Sequence, residues 1–93
     1  MLDREWTSTA YILRESSVLL VYHKKLSKWL PAGGHANPGE LPHQTAIREA
    51  YEETGWQIAL YEDDPVEIIE ENALSFPRPY LCLLEEILTP RHN

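Results

Sequence analysis

The stretch that most constrains this chain is a glycine- and proline-rich segment leading straight into a helix with marked ends. Three of the four glycines, Gly33, Gly34 and Gly39, and two prolines, Pro31 and Pro38, lie within residues 29–39. Such residues interrupt regular structure, so the segment reads as a structured loop. Pro42 suits the first turn of a helix, where its missing N–H does no harm. The helix is expected to run from Pro42 to about Thr54, with Gly55 as a left-handed stop.

On a helix advancing about 100° per residue, Ala46, Ile47, Ala50, Tyr51 and Thr54 fall on one broad face. Glu49, Glu52 and Glu53 fall together on roughly the opposite one, at i, i+3 and i+4. Three carboxylates in one patch repel, and Arg48 is the sole base nearby. Two readings compete. One is a solvated acidic face. The other is a divalent-metal site, where oxygen ligands are required and the cation relieves the repulsion. Gly33-Gly34-His35 lies just upstream. Glycines let the backbone turn sharply and approach another group closely, and a carbonyl from this loop would complete an oxygen-ligand set.

Gly34, five residues, Glu40, seven residues, then Arg48-Glu49-Ala50-Tyr51-Glu52-Glu53-Thr54-Gly55-Trp56 resembles the Nudix signature. Gly34, Glu40, Arg48, Glu49, Glu52, Glu53 and Gly55 all match. Ala50 is smaller than the aliphatic residue expected there, and Trp56 replaces an aliphatic. Both are expected to face the core. Upstream, Ala32 stands where a second proline is common.

The resemblance implies an α/β fold, an α/β/α sandwich around a mixed β-sheet. It implies metal-dependent hydrolysis of a diphosphate linkage in a nucleoside diphosphate joined to another group, by water attack at phosphorus, with Mg²⁺ or Mn²⁺. Carried over by position, Glu49, Glu52, Glu53 and the Gly34 carbonyl hold metal. Glu49 also acts as, or positions, the general base. Glu49, Arg48 and Glu52 form the catalytic set, with Arg48 orienting the carboxylates and Glu40 supporting Arg48. The resemblance identifies no substrate-binding residue.

Elsewhere, residues 7–13 and 18–22 read as paired strands of a hairpin, with a basic loop at 23–28. Residues 56–61 read as a further strand. Residues 66–72 are ambiguous between strand and helix, and residues 80–88 read as a strand. The 93 residues are expected to form a single domain, 1–93, lacking the last strand and C-terminal helix usual in the family. A shortened chain, a product of proteolysis and a short chain completed by a partner all remain open. The last predicts a homo-oligomer.

Fifteen acids against eight bases give a net charge of −7. An acidic surface is a poor platform for duplex nucleic acid. No apolar run is long enough to span a bilayer, so a cytoplasmic chain acting on a small nucleotide-type molecule is expected. Cys82, the single cysteine, sits between Leu81 and Leu83 and reads as a small buried hydrophobe. Lys24, Lys25, Lys28 and Arg78 read as solvated. His35 and His43 flank the acidic face but are poor ligands for a hard cation. Two other functions stand beside hydrolysis. One is a nucleotide-binding or regulatory module without turnover. The other is an acidic structural domain, which leaves the loop–helix spacing unexplained.

Overall fold

The computed structural model describes residues 4–61, 67–80 and 82. In chain order the elements are β1 (Thr7–Ala10), β2 (Leu13–Arg14), β3 (Ser17–Val18), β4 (Val21–His23), β5 (Lys28–Leu30), β6 (Ala32–His35), α1 (Pro42–Thr54), β7 (Ile69–Glu70) and β8 (Ala73–Leu74). The architecture is α/β, as expected. Among the described residues all four strand pairs are antiparallel: β1 with β6, β2 with β3, β4 with β5 and β7 with β8. Among the same residues, no helix is long and apolar enough to cross a membrane.

Helix α1 spans the expected residues. Leu41 offers no polar side chain as a cap, so Gln44 Oε1 reaches back to accept the Leu41 N–H at 2.9 Å. At the other end Gly55 adopts φ 77°, and its N–H donates to the Tyr51 carbonyl at 2.8 Å. The Thr54 hydroxyl donates to the Ala50 carbonyl and accepts the Trp56 N–H, which tightens the exit.

The helix packs on the β1–β6 ladder, in which Ala10 pairs with Ala32 and Ser8 with Gly34. Successive side chains of a strand alternate between faces, so these four positions share one face. Ala10 and Ala32 meet Ala46 and Ala50 there, with Ile12 closing the cluster and Leu19, Val21 and Ile58 packed around it. Small side chains on both sides let the helix approach the ladder closely.

Several expectations are corrected. Residues 29–39 are not all loop, because Ala32–His35 is a strand. Gly33 and Gly34 have no positive φ and serve close approach rather than a turn. The expected hairpin exists only at its tip, where Leu13 pairs with Val18 and Arg14 with Ser17 around Glu15 at φ 57°. Thr7–Ala10 pairs instead with Ala32–His35, far along the chain. Residues 56–61 form no ladder among the described residues. Ile69–Glu70 and Ala73–Leu74 make a hairpin, so within the described part of 66–72 only Ile69–Glu70 is strand and Glu71 and Asn72 form the turn. Of the expected strand at 80–88, residues 81 and 83–88 lie outside the described residues. Cys82 is exposed, not buried.

The helix faces also differ from expectation. Thr45, Ala46 and Ala50 are buried, whereas Tyr51 is 55% exposed. The packed side is thus rotated toward Glu49 and Glu53, because the ladder beneath it offers glycine instead of a bulky side chain.

Ala50 has no exposed surface, so a larger side chain has nowhere to go. Ala50→Leu is expected to destabilise the chain by about 1–3 kcal/mol through overpacking. Urea unfolding measures this, and an unchanged midpoint would contradict the close packing described.

Candidate active site

The site is built where β6, the loop after it and α1 converge. Arg48, in the second turn of α1, turns its guanidinium back toward that loop. Its Nε donates to Glu40 Oε2 at 2.8 Å, and one terminal nitrogen donates to Glu40 Oε1 at 3.1 Å, a bidentate pair. The same nitrogen donates to the His35 carbonyl at 2.8 Å. The other donates to Glu49 Oε2 at 2.7 Å and to the Glu52 carboxylate at 3.1 and 3.2 Å.

Glu40 is held from three directions. Besides Arg48, it accepts the Asn37 N–H at 3.0 Å and the Thr45 hydroxyl at 2.7 Å. Hydrogen bonding from Arg48, then from Asn37 and Thr45, pulls its carboxyl down from 4.5 to about 2. Reciprocally, Glu40 and then Glu49 raise the Arg48 guanidinium further above its ordinary value. Thr45 is fully buried beneath this cluster. Its part in it was not evident from sequence, where a single threonine carries no motif.

Glu49 and Glu53 lean on the glycine strand. A Cβ placed on Gly34 would lie 2.5 Å from the Glu49 carboxylate carbon, and one on Gly33 would lie 2.4 Å from the Ser8 carbonyl oxygen. Only glycine allows either approach. Gly33 N–H donates to Glu53 Oε1 at 2.9 Å. The structure therefore brings Gly34, Glu40, Arg48, Glu49, Glu52 and Glu53 into one region, with Glu52 open at 54% side-chain exposure and Glu53 exposed as well.

The donor chemistry there suits a hard divalent cation. Glu49, Glu52, Glu53 and the Gly34 carbonyl are all oxygen donors, and Gly34 lies against Glu49 at a distance only glycine permits. Three carboxylates, Glu40, Glu49 and Glu52, share one guanidinium, so negative charge remains in excess even before Glu53 is added. Among the described residues no three His, Cys, Asp or Glu side chains already converge as a metal cage.

The flanking residues behave differently. His35 directs its ring to Glu5 at 3.2 Å. His43 stacks on Phe76, with its Nδ1 buried and lacking a hydrogen-bond partner. Lys24, Lys25 and Lys28 are exposed on the β4–β5 hairpin. A cavity of about 420 Å³ opens beside the site, lined by Tyr11, Tyr22, His23, Gly33 and Glu53 among others. Tyr22 stacks edge-on with Trp29, its cross-strand partner, at 5.2 Å. This cavity is not legible in the sequence, because its walls bring the local β4–β5 hairpin together with the distant β1–β6 pair and Glu53 of α1.

A family model described as NUDIX domain matches residues 4–90. A Bacillus subtilis (strain 168) protein named "Putative 8-oxo-dGTP diphosphatase" is 44% identical over 50 residues, covering 53% of this chain and 34% of that protein. A crystal structure of a hydrolase of the NUDIX family from Clostridium perfringens superposes with TM-score 0.62 at 44% identity, covering 68% of this chain and 43% of that one. The chain thus spans 34% and 43% of the lengths of these two relatives.

The Glu40 environment predicts a definite pH response. A carboxyl lowered in the folded state contributes stability in full above its ordinary 4.5, and loses it as pH falls toward about 2. Glu40→Gln is expected to lower stability at neutral pH and to flatten the decline across that acidic window. Urea unfolding at a series of pH values checks this. An equally steep decline in the variant would contradict it.

Proposed function

This chain belongs to the NUDIX family, and we propose that it hydrolyses the diphosphate linkage of a nucleoside diphosphate joined to a further group, with Mg²⁺ or Mn²⁺ as cofactor. The observation that carries this reading is the Arg48 cluster. One guanidinium gathers Glu40, Glu49 and Glu52 while Gly34 lies against Glu49. Carboxylates in excess of their counter-charge, beside a bare strand backbone, are suited to a hard cation.

In this reading Glu49, Glu52, Glu53 and the Gly34 carbonyl hold the cation. Its contribution is to neutralise the phosphate oxygens and to make a water more acidic. Glu49 takes the proton of the attacking water or orients the group that does. The water oxygen bonds to phosphorus as the bridging P–O bond breaks. Arg48 fixes the directions of Glu49 and Glu52, and Glu40, held by Asn37 and Thr45, fixes Arg48. The organic part of the substrate lies in the cavity beside Gly33 and Glu53, against Tyr11 and Tyr22. A cytoplasmic location belongs to the same reading.

A nucleotide-binding module without turnover is the second reading. It is favoured by the present engagement of Glu49 with Arg48 and of Glu53 with the Gly33 N–H.

Release of phosphate or nucleoside monophosphate separates the two. The substrates are nucleotides, ADP-ribose, dinucleoside polyphosphates and 8-oxo-dGTP, each with and without Mg²⁺. We expect metal-dependent release, and a fall on the order of 10²–10³-fold in Glu52→Gln, the scale of losing one transition-state electrostatic contact, with the circular dichroism unchanged. Wild-type rates in the variant would sink the assignment. Binding without release from any compound would favour the second reading.

A further inference from the structure

Gly33 occupies a position constrained on two sides. Toward β1 it has no room for a side chain, since a Cβ would meet the Ser8 carbonyl and the Thr9 Cα at 2.4 and 2.9 Å. Its N–H does not join the ladder. It donates across 20 residues of sequence to Glu53 Oε1, at 2.9 Å. That bond ties the last turn of α1 to β6. Only one oxygen of Glu53 is engaged, and among the described residues Oε2 has no hydrogen-bond partner. Gly33 and Glu53 also line the same cavity of about 420 Å³.

We propose that the Gly33 N–H is a positioning group for Glu53, holding Oε1 so that Oε2 is presented to the divalent cation at the mouth of this cavity. The inference rests on the reading of Glu53 as a metal ligand. A glutamate near a helix end has several rotamers. A hydrogen bond from a backbone N–H to an ionised carboxylate is strong and directional, and it selects one of them. Carboxylates that ligate metals are commonly held by such outer partners, and losing one typically weakens affinity about 10–100-fold. Gly33 then has two parts, of which only the first requires glycine. Its missing side chain lets β1 close in, and its N–H stays outside the ladder to meet the helix. The same bond fixes Glu53 against the cavity wall, so cation and cavity occupant share one boundary residue.

Removing this N–H and nothing else is the direct test. Total chemical synthesis of the 93-residue chain with glycolic acid in place of Gly33 exchanges the amide for an ester. Mn²⁺ binding is read from the electron paramagnetic resonance of the free ion. We expect affinity to fall about 10–100-fold relative to the all-amide chain. In the natural chain, the Gly33 amide should stay protected from hydrogen exchange when Mg²⁺ is added. Affinity within about twofold of the all-amide chain, well inside the range expected for losing an outer partner, overturns the proposal. So does loss of Gly33 protection on adding Mg²⁺, which means that Glu53 leaves the bond to bind the ion. The exchange measurement decides the matter should the ester chain not fold. Glu53→Gln keeps the Oε1 acceptor and removes the charge, so it should retain Gly33 protection while binding Mn²⁺ weakly. If Glu52→Gln and Glu53→Gln both bind Mn²⁺ as the natural chain does, the metal-site reading itself fails, and the positioning role with it.

Discussion

A guanidinium carries five N–H donors in one plane, and at Arg48 every one of those directions meets an oxygen. Two go to Glu40, one to the His35 carbonyl, one to Glu49 and one to Glu52. That single group joins the loop after β6 to the helix and sets the directions of three carboxylates. A lysine carries the same charge but lacks the planar fork. The cluster is mostly sheltered, with side-chain exposures of 25% for Arg48, 14% for Glu40 and 16% for Glu49. Its bonds are therefore less screened than those of a surface ion pair.

The backbone beneath it supplies the second constraint. Glu49 reaches the strand only because Gly34 leaves it bare, while Gly33 lets β1 close in and offers its N–H to Glu53. The helix comes close enough for that contact because Ala46 and Ala50 pack on Ala10 and Ala32. Small residues in the core and Gly34 in the strand serve one purpose, a short helix-to-strand distance. The short Ala50 side chain, a departure from the family pattern, fits this contact. Large apolar groups contribute less here, and Tyr11, Leu13, Ile69 and Leu74 remain about 70% exposed.

The sequence made the local features legible. Pro42 and Gly55 mark the ends of α1, and the spacing of Glu40, Arg48, Glu49 and Glu52 identifies the group that gathers into one cluster. Non-local features escaped. Glycines at 33 and 34 suggested loop because glycine is poor in strands, yet here close approach outweighs propensity. The pairing of Thr7–Ala10 with Ala32–His35 leaves no trace in either segment alone. Helical periodicity placed Ala46 and Ala50 on the packed side, where they are buried, but put Tyr51 there too and left out Thr45, because it weights apolar residues and the buried positions of this helix are alanine and threonine. Thr45, the Gly33 N–H and the cavity depend on tertiary placement that periodicity does not encode.

These constraints converge on one claim, that the geometry of the Arg48 fork, beyond its charge, organises the carboxylates for a divalent cation. Mn²⁺ affinity of Arg48→Lys against the natural chain tests it most directly, because the net charge is the same in both. The account predicts affinity lower by about tenfold or more, as for loss of an outer partner of metal ligands, in a variant that remains folded by circular dichroism. Equal affinity in a folded variant would contradict it, and would mean that positive charge near Glu49 and Glu52 is sufficient without the fork.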